Sequence, residues 1–376
     1  MQKTGSASAK KSWKMKANKL CRKNYFDNSS RHLQNLRTCV FLAFSIFLAF
    51  ALSGCFQKKT SAQTQFIFNT ICSVNLYEDS SEELYAEIFS RLREIENVFN
   101  NYSPSSEISR MNENAAEREV EVSEDFFTVL KTALSFCELS GGAFDITVGP
   151  LVKLWNVTGE NPRVPSEEDF ARVMPIVGYK NVILSEDEGA PTVRFAKKGV
   201  QLDLGAIAKG FAADEVEKIL REKKVRRAII SLGGNVYVHG KKSRGEKWSV
   251  GIRNPFGEGN AAMLFVQDNS VVTSGGYERF FEKDGELYSH ILNPATGFPV
   301  RTDIVSITIV CPNSMAADAL STSIFLCGLE SIARFSQSPL CPGFGCMAID
   351  KDGTIYATRG IEKNLVLPKG KEIKRM

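Results

Sequence analysis

Histidine is scarce in this 376-residue chain: His32, His239 and His290 are the only three, too few for a histidine-built metal centre. Cysteine is thin as well. The six beyond residue 55 (Cys72, Cys137, Cys311, Cys327, Cys341 and Cys346) follow no zinc-site spacing and are too dilute for a disulfide scaffold. Cys341-Pro-Gly-Phe-Gly-Cys346 either closes a small loop or holds two buried thiols, the plainer reading for cysteine. No apolar run reaches the roughly 20 residues of a transmembrane helix, no segment repeats, and neither a Walker loop nor a dinucleotide glycine fingerprint occurs.

Positive charge is abundant at one end only. Residues 1–39 hold ten Lys or Arg against one acid, Asp27, and an uncharged apolar run follows from Val40 to Ala51. Twelve uncharged residues, apolar but for Ser45, suit the core of a secretory signal peptide. Leu52-Ser53-Gly54-Cys55 resembles the lipobox of bacterial lipoproteins, which makes 1–54 the expected signal peptide and Cys55 the lipidated residue. The basic stretch is long, so Met15 is an expected alternative start. Without the leader, 37 basic residues face 42 acidic ones, a net charge near −5. That balance gives no sign of a nucleic-acid binder, which would need a basic stripe on the folded part.

Residues 55–64 read as lipidated cysteine and polar tether, and 65–376 as one catalytic domain large enough for a substantial core. A strand is expected over 66–77, a helix over 81–99 with a capping signature at Ser81, and another over 124–140 ended by Gly141-Gly142. The alternation of Val200 to Gly205 predicts a strand leading into a helix over 206–222. Hairpin-spaced strands are expected at 228–232, 235–239, 247–252, 262–266, 287–291, 303–310, 345–349 and 353–357, with a helix near 314–326. Strands joined mostly by hairpins give an α+β class with largely antiparallel sheet and packed helices.

Four stretches carry polar groups that chemistry could use. Asp318 and Thr322, four apart on the expected helix, share one face, where a carboxylate and a hydroxyl suit a hard cation such as Mg2+; a solvated helix face would look the same. Asp203-Leu-Gly-Ala-Ile-Ala-Lys-Gly210 puts backbone N–H groups and Lys209 where a helix begins, a setting for phosphate oxygens or merely a glycine-rich helix start. In Gly142-Ala-Phe-Asp-Ile-Thr147, Asp145 either accepts from a ligand or caps a turn, while Phe144 and Trp155 read as core. His290 stands at a strand end before the turn Asn293-Pro-Ala-Thr-Gly297, within reach of a reacting hydroxyl or satisfied by a neighbouring one; His239 reads as structural.

In order, Tyr-Ser-Pro-Ser-Ser-Glu-Ile-Ser-Arg-Met-Asn112, Gly-Ala-Phe-Asp-Ile-Thr-Val-Gly-Pro-Leu151, Leu-Asp-Leu-Gly-Ala-Ile-Ala-Lys-Gly210, Ser-Leu-Gly-Gly-Asn235, Thr-Ser-Gly-Gly-Tyr-Glu-Arg279, Ser-His-Ile-Leu-Asn-Pro-Ala-Thr-Gly-Phe-Pro299 and Ala-Asp-Ala-Leu-Ser-Thr322 resemble the ApbE family of bacterial FAD:protein FMN transferases. The resemblance implies an enzyme that takes FAD as substrate with Mg2+, moves FMN onto a Thr or Ser hydroxyl of a target protein and releases AMP. It further implies a lipoprotein of the inner membrane facing the periplasm, acting on respiratory electron-transfer or ion-pumping subunits. By motif, the Ala206 carbonyl, Asp318 and Thr322 would hold Mg2+; Tyr102, Ala143, Asp145, Lys209, His290 and Ile291 would contact FAD; His290 and Asp318 would serve the reaction. The chain departs from the family at Phe99-Asn100-Asn101 before the tyrosine and at Asn156-Val157 after Trp155, both bearing on the grip on FAD. Two other activities fit the same residues: storage of FAD without turnover, and Mg2+-dependent hydrolysis of FAD to FMN and AMP.

Overall fold

Residues 66–77 form parts of two strands rather than one: β1 (Gln63–Ile67) and β2 (Thr70–Leu76) pair across a two-residue turn. Phe68 and Asn69 both take positive φ, 55° and 54°, the left-handed pair that a tight hairpin demands. The Phe68 N–H is caught by Glu96 Oε1 at 2.7 Å, a partner far away in sequence, which is why the break is hard to read locally. The computed structural model describes residues 62–78, 81–186 and 189–376. The expected leader, Cys55 and most of the tether lie outside them, and the folded part begins in β1, two residues before the expected boundary at 65.

Serine caps open α1 (Glu82–Phe99), α2 (Glu107–Asn114) and α3 (Glu124–Leu139), where Ser81, Ser106 and Ser123 accept from the N–H three residues on. The two-residue β3 (Val120–Glu121) lies between α2 and α3, and after α3 come short helices α4 (Gly149–Trp155) and α5 (Glu167–Val173), β4 (Val182–Ser185) and β5 (Thr192–Phe195). Residues 200–205 are extended but are no strand. Their backbone is satisfied by a side chain and a loop: Leu202 exchanges two bonds with the Asn112 amide, and the Asp203 N–H donates to the Ile146 carbonyl. Helix α6 (Ala208–Glu222) therefore begins two residues later than the pattern predicts.

Strands β6 (Arg227–Leu232), β7 (Asn235–Gly240), β8 (Trp248–Arg253), β9 (Asn260–Val266), β10 (Asn269–Gly275), β11 (Phe280–Lys283), β12 (Glu286–Ser289) and β13 (Ile304–Cys311) follow, then helix α7 (Ser314–Cys327). After the short α8 (Ile332–Ser336), the chain closes with β14 (Gly345–Asp350), β15 (Ile355–Ala357), α9 (Arg359–Glu362), β16 (Leu365–Val366) and β17 (Ile373–Arg375). Nine strands make one sheet in the order β1-β2-β6-β7-β10-β13-β14-β15-β17, antiparallel except at β15-β17. The expected α+β class holds.

Both faces of that sheet are covered, so its central strands are apolar on both sides. In β13, Ile307, Ile309 and Cys311 join the helix-side core, whereas Val310 joins Trp248, Ile252 and Leu264 under the small sheet β16-β9-β8. Helix α7 is buried almost all round, its Ala316, Ala317, Ala319, Leu320 and Ile324 lying between sheet and helices. The six described cysteines are free thiols, Cys341 and Cys346 among them, and burial pushes those two up to about 12. Among the described residues no helix is long and apolar enough to cross a membrane.

Candidate active site

Two helices crossing at close range create the centre of the site. Gly210 sits where a Cβ would fall 2.3 Å from the Ser314 carbonyl, so α6 meets the start of α7 backbone to backbone. Its N–H does not turn back to the Ala206 carbonyl four residues earlier; it donates to Asp318 Oδ2 at 2.9 Å. That leaves Ala206 with a carbonyl free for a ligand. One turn later, Asp214 accepts from the Ser314 and Met315 N–H groups at 2.7 and 2.9 Å, capping α7, while Asn313 accepts from Ala316.

These contacts fix the side chains that face a cavity of about 310 Å³. Asp318 and Thr322 line it from α7, and Ala206 and Lys209 line it from the start of α6. Lys209 Nζ donates to the Gly205 carbonyl at 2.7 Å and lies 3.9 Å from Asp318 Oδ2. Burial raises the Asp318 carboxyl above its ordinary range, opposed by Lys209 and the Gly210 N–H. Thr322 Oγ1 lies 3.4 Å from Ser274 Oγ, its one hydrogen-bond partner among the described residues. A carboxylate, a hydroxyl and a released carbonyl on one wall are hard oxygen donors, a set that fits Mg2+. No cluster of three or more His, Cys, Asp or Glu side chains suited to a metal occurs among the described residues, so any cation here depends on neutral oxygens as well.

His290 follows β12 and is held twice by one carbonyl: its own N–H and its ring Nδ1 both reach Arg279 O, at 3.0 and 3.1 Å. A carbonyl only accepts, so Nδ1 carries the proton and Nε2 is the bare acceptor. Burial, aided by the charges of Arg279 and Lys209, drives the imidazole down to about 4, and it is neutral at physiological pH. The hairpin that carries it is anchored by aromatics: Phe281 and Tyr288 pack on buried Trp155, whose Nε1 donates to Gly297 O at 2.7 Å. Trp155 and Phe144 are core, as expected.

The remaining expected residues line the same cavity with unequal freedom. Tyr102 is 68 % exposed at the mouth, its hydroxyl 3.4 Å from Thr158 Oγ1, so its ring face is available for stacking. Ala143 and Ile291 supply apolar wall. Asp145 lines it too, but its carboxylate already accepts from the Thr147 N–H and hydroxyl and from the Tyr179 N–H. The turn-capping alternative is therefore what its oxygens do here. His239 lies away from the cavity, with Nε2 bonded to Val225 O.

Sequence reasoning passed over Asn235 and Glu278, both on the cavity wall. Asn235 is 1 % exposed; its Oδ1 accepts from Ser270 and its Nδ2 has no partner, an unsatisfied donor of the sort a ligand completes. The Gly233-Gly234 turn before it was the available signal. Glu278 stands in the Thr-Ser-Gly-Gly-Tyr-Glu-Arg279 stretch, which was the available signal.

The sequence model of the ApbE family matches residues 68–344, most of the chain and every segment of this cavity. The chain belongs to the ApbE family. A relative from Treponema pallidum, named FAD:protein FMN transferase, is 37 % identical over 317 residues, covering 80 % of this chain and 87 % of its own length. One of the same name from Haemophilus influenzae is 31 % identical, covering 78 % and 88 %. Among solved structures, the ApbE protein of Thermotoga maritima superposes with a TM-score of 0.72 at 32 % identity, over 79 % of this chain and 96 % of that one. The flavin transferase ApbE of Vibrio cholerae gives 0.71 at 28 %, over 81 % and 99 %. An ApbE fold is thus present nearly whole.

Proposed function

We propose that this ApbE-family chain is a Mg2+-dependent FAD:protein FMN transferase that moves FMN from FAD onto a Thr or Ser hydroxyl of a target protein and releases AMP. The observation that carries the reading is the meeting of Lys209, Asp318, Thr322, the free Ala206 carbonyl and a neutral His290 around one cavity. A diphosphate carries charge that must be balanced before an oxygen attacks phosphorus, and Lys209 contributes to that balance from one wall. The Ala206 carbonyl, Asp318 and Thr322 would hold Mg2+, which supplies Lewis acidity and alignment to the phosphates. Tyr102 stacks on the flavin or adenine ring at the mouth, and Asn235 offers its unpartnered N–H to an acceptor on FAD. His290 receives the incoming hydroxyl as a hydrogen-bond donor at Nε2 and so aims its oxygen. Together they support positioning and electrostatics as the main sources of rate.

With the lipobox cysteine Cys55, the reading extends to a lipid-anchored enzyme on the periplasmic face of the inner membrane, whose targets are respiratory electron-transfer or ion-pumping subunits. Incubating the purified protein with FAD, Mg2+ and such a subunit tests it. A fluorescent flavin band that survives denaturing electrophoresis, with AMP released in equal amount, is the expected outcome. Free FMN without a labelled band would make the protein an FAD hydrolase, and bound FAD without turnover a store.

A further inference from the structure

Behind the wall that would hold Mg2+ runs a chain of hydroxyls that can point in one direction only. Ser321 on α7 donates to the Asp318 carbonyl at 2.8 Å, and a carbonyl only accepts, so the single Ser321 proton is engaged there. Ser274, near the end of β10, lies 2.8 Å from Ser321 Oγ and must therefore donate to it. That engages the Ser274 proton in turn. Thr322 Oγ1, 3.4 Å from Ser274 Oγ, is left as the donor to Ser274, with its lone pairs turned away from that bond. The chain is held in place at both ends. Strand β10 is clamped between β7 and β13, with Ser274 opposite Ile307, and α7 is buried almost all round. Ser274 and Thr322 line the cavity, whereas Ser321 is fully buried behind them.

We propose that Ser274, backed by Ser321, is a positioning residue for the cation: it takes the Thr322 proton and so makes Thr322 present lone pairs to the ion. The inference rests on the Mg2+ reading of this wall and adds to it two residues outside the donor set. A hydroxyl free to rotate offers its proton to a nearby acceptor as readily as its oxygen to a cation. In this cavity the phosphate oxygens of FAD are such acceptors. With its proton drawn back into the wall, Thr322 can serve a cation and cannot serve a phosphate in its place. The Asp318 carboxylate is oriented by a separate contact, the Gly210 N–H. Each side-chain donor on α7 thus has its own orienting partner, one from α6 and one from β10.

The test measures binding of Mn2+, standing in for Mg2+, to the intact protein with FAD, read as loss of the free-ion electron paramagnetic resonance signal. Ser274→Ala should weaken Mn2+ binding roughly tenfold. Ser321→Ala should weaken it by about fivefold although Ser321 lines no part of the cavity, because the freed Ser274 proton can turn on Thr322 and reverse the last link. In a Thr322→Val background, where no hydroxyl remains to be oriented, both substitutions should change Mn2+ binding by less than about twofold. FAD affinity without metal, and AMP release at saturating Mg2+, should stay within about threefold of wild type, the effect being confined to the Mg2+ concentration for half-activation. Unchanged Mn2+ binding in Ser274→Ala overturns the proposal. So does an undiminished loss in the Thr322→Val background, which would mark a general loosening of α7, or a tenfold loss of FAD affinity without metal, which would make Ser274 a contact to FAD. Wild type that takes up no Mn2+ beside FAD sinks the cation reading itself, whereas uptake indifferent to the two serines sinks the relay alone.

Discussion

At the scale of single residues, the site separates groups that bind from groups that act. His290 is pinned by the Arg279 carbonyl through both its backbone and its ring, so removing the imidazole should disturb orientation more than affinity. His290→Ala is expected to bind FAD within about threefold of wild type while turnover drops roughly 100-fold, read by fluorescence titration beside AMP release. Asp318 carries the only charge in the donor set proposed for Mg2+, beside the Ala206 carbonyl and the Thr322 hydroxyl. Asp318→Ala should abolish Mg2+ activation at concentrations that saturate wild type, and Thr322→Val should weaken it less, since water can replace one neutral oxygen. An Asp318 variant that responds to Mg2+ like wild type would remove the cation from this wall.

At the scale of elements, what matters is the contact between α6 and α7. Gly210→Ala would place a methyl 2.3 Å from the Ser314 carbonyl and 2.6 Å from Met315 Cα, backbone atoms that cannot rotate away. The helices must part, at a cost of about 1–3 kcal/mol; the expected result is a lower thermal midpoint together with lost Mg2+ response. The i, i+4 spacing made Asp318 and Thr322 legible in the sequence, because both depend on one helix. The α+β class was legible for the same local reason, hairpins being spaced by their own turns. Residues 200–205 were not, because Asn112, far off in sequence, satisfies their backbone, and Asp145 was legible as a turn cap on Thr147 while its further bond from the Tyr179 N–H, 34 residues on, was not.

At the scale of the whole molecule, acid and base pull stability in opposite directions. Burial lifts Asp214 to about 6 and Glu278 to about 7, so the stability that their protonated forms give is lost as pH rises through those values. His290 is depressed to about 4 from an ordinary 6.5, so its contribution is lost as pH falls below 6.5. Between about pH 4.5 and 6 the two carboxyls outweigh the imidazole, so the thermal midpoint should fall as pH rises and level off above about 7, more shallowly in Glu278→Gln and more steeply in His290→Ala; calorimetry across pH 4.5–8 checks this. The proposed membrane attachment is a separate matter, resting on the lipobox reading of Cys55 alone. Cys55→Ala should abolish palmitate labelling and release the protein from the membrane fraction, and unchanged labelling would refute the lipobox.

The first hairpin has one more consequence. Its partner is β6, with Cys72 opposite Leu232, so a ribosome must add about 160 residues before β2 can find its neighbour. At about 5–20 residues per second that is roughly 8–30 s with an unpaired strand in the open. Phe66 and Ile71 face each other on that hairpin and are 71 % and 64 % exposed even in the finished fold. The nascent chain thus offers a sticky ribbon to holdases and to other nascent copies alike. The stage at which this enzyme is most easily lost to aggregation is its own synthesis, before any wall of the cavity exists.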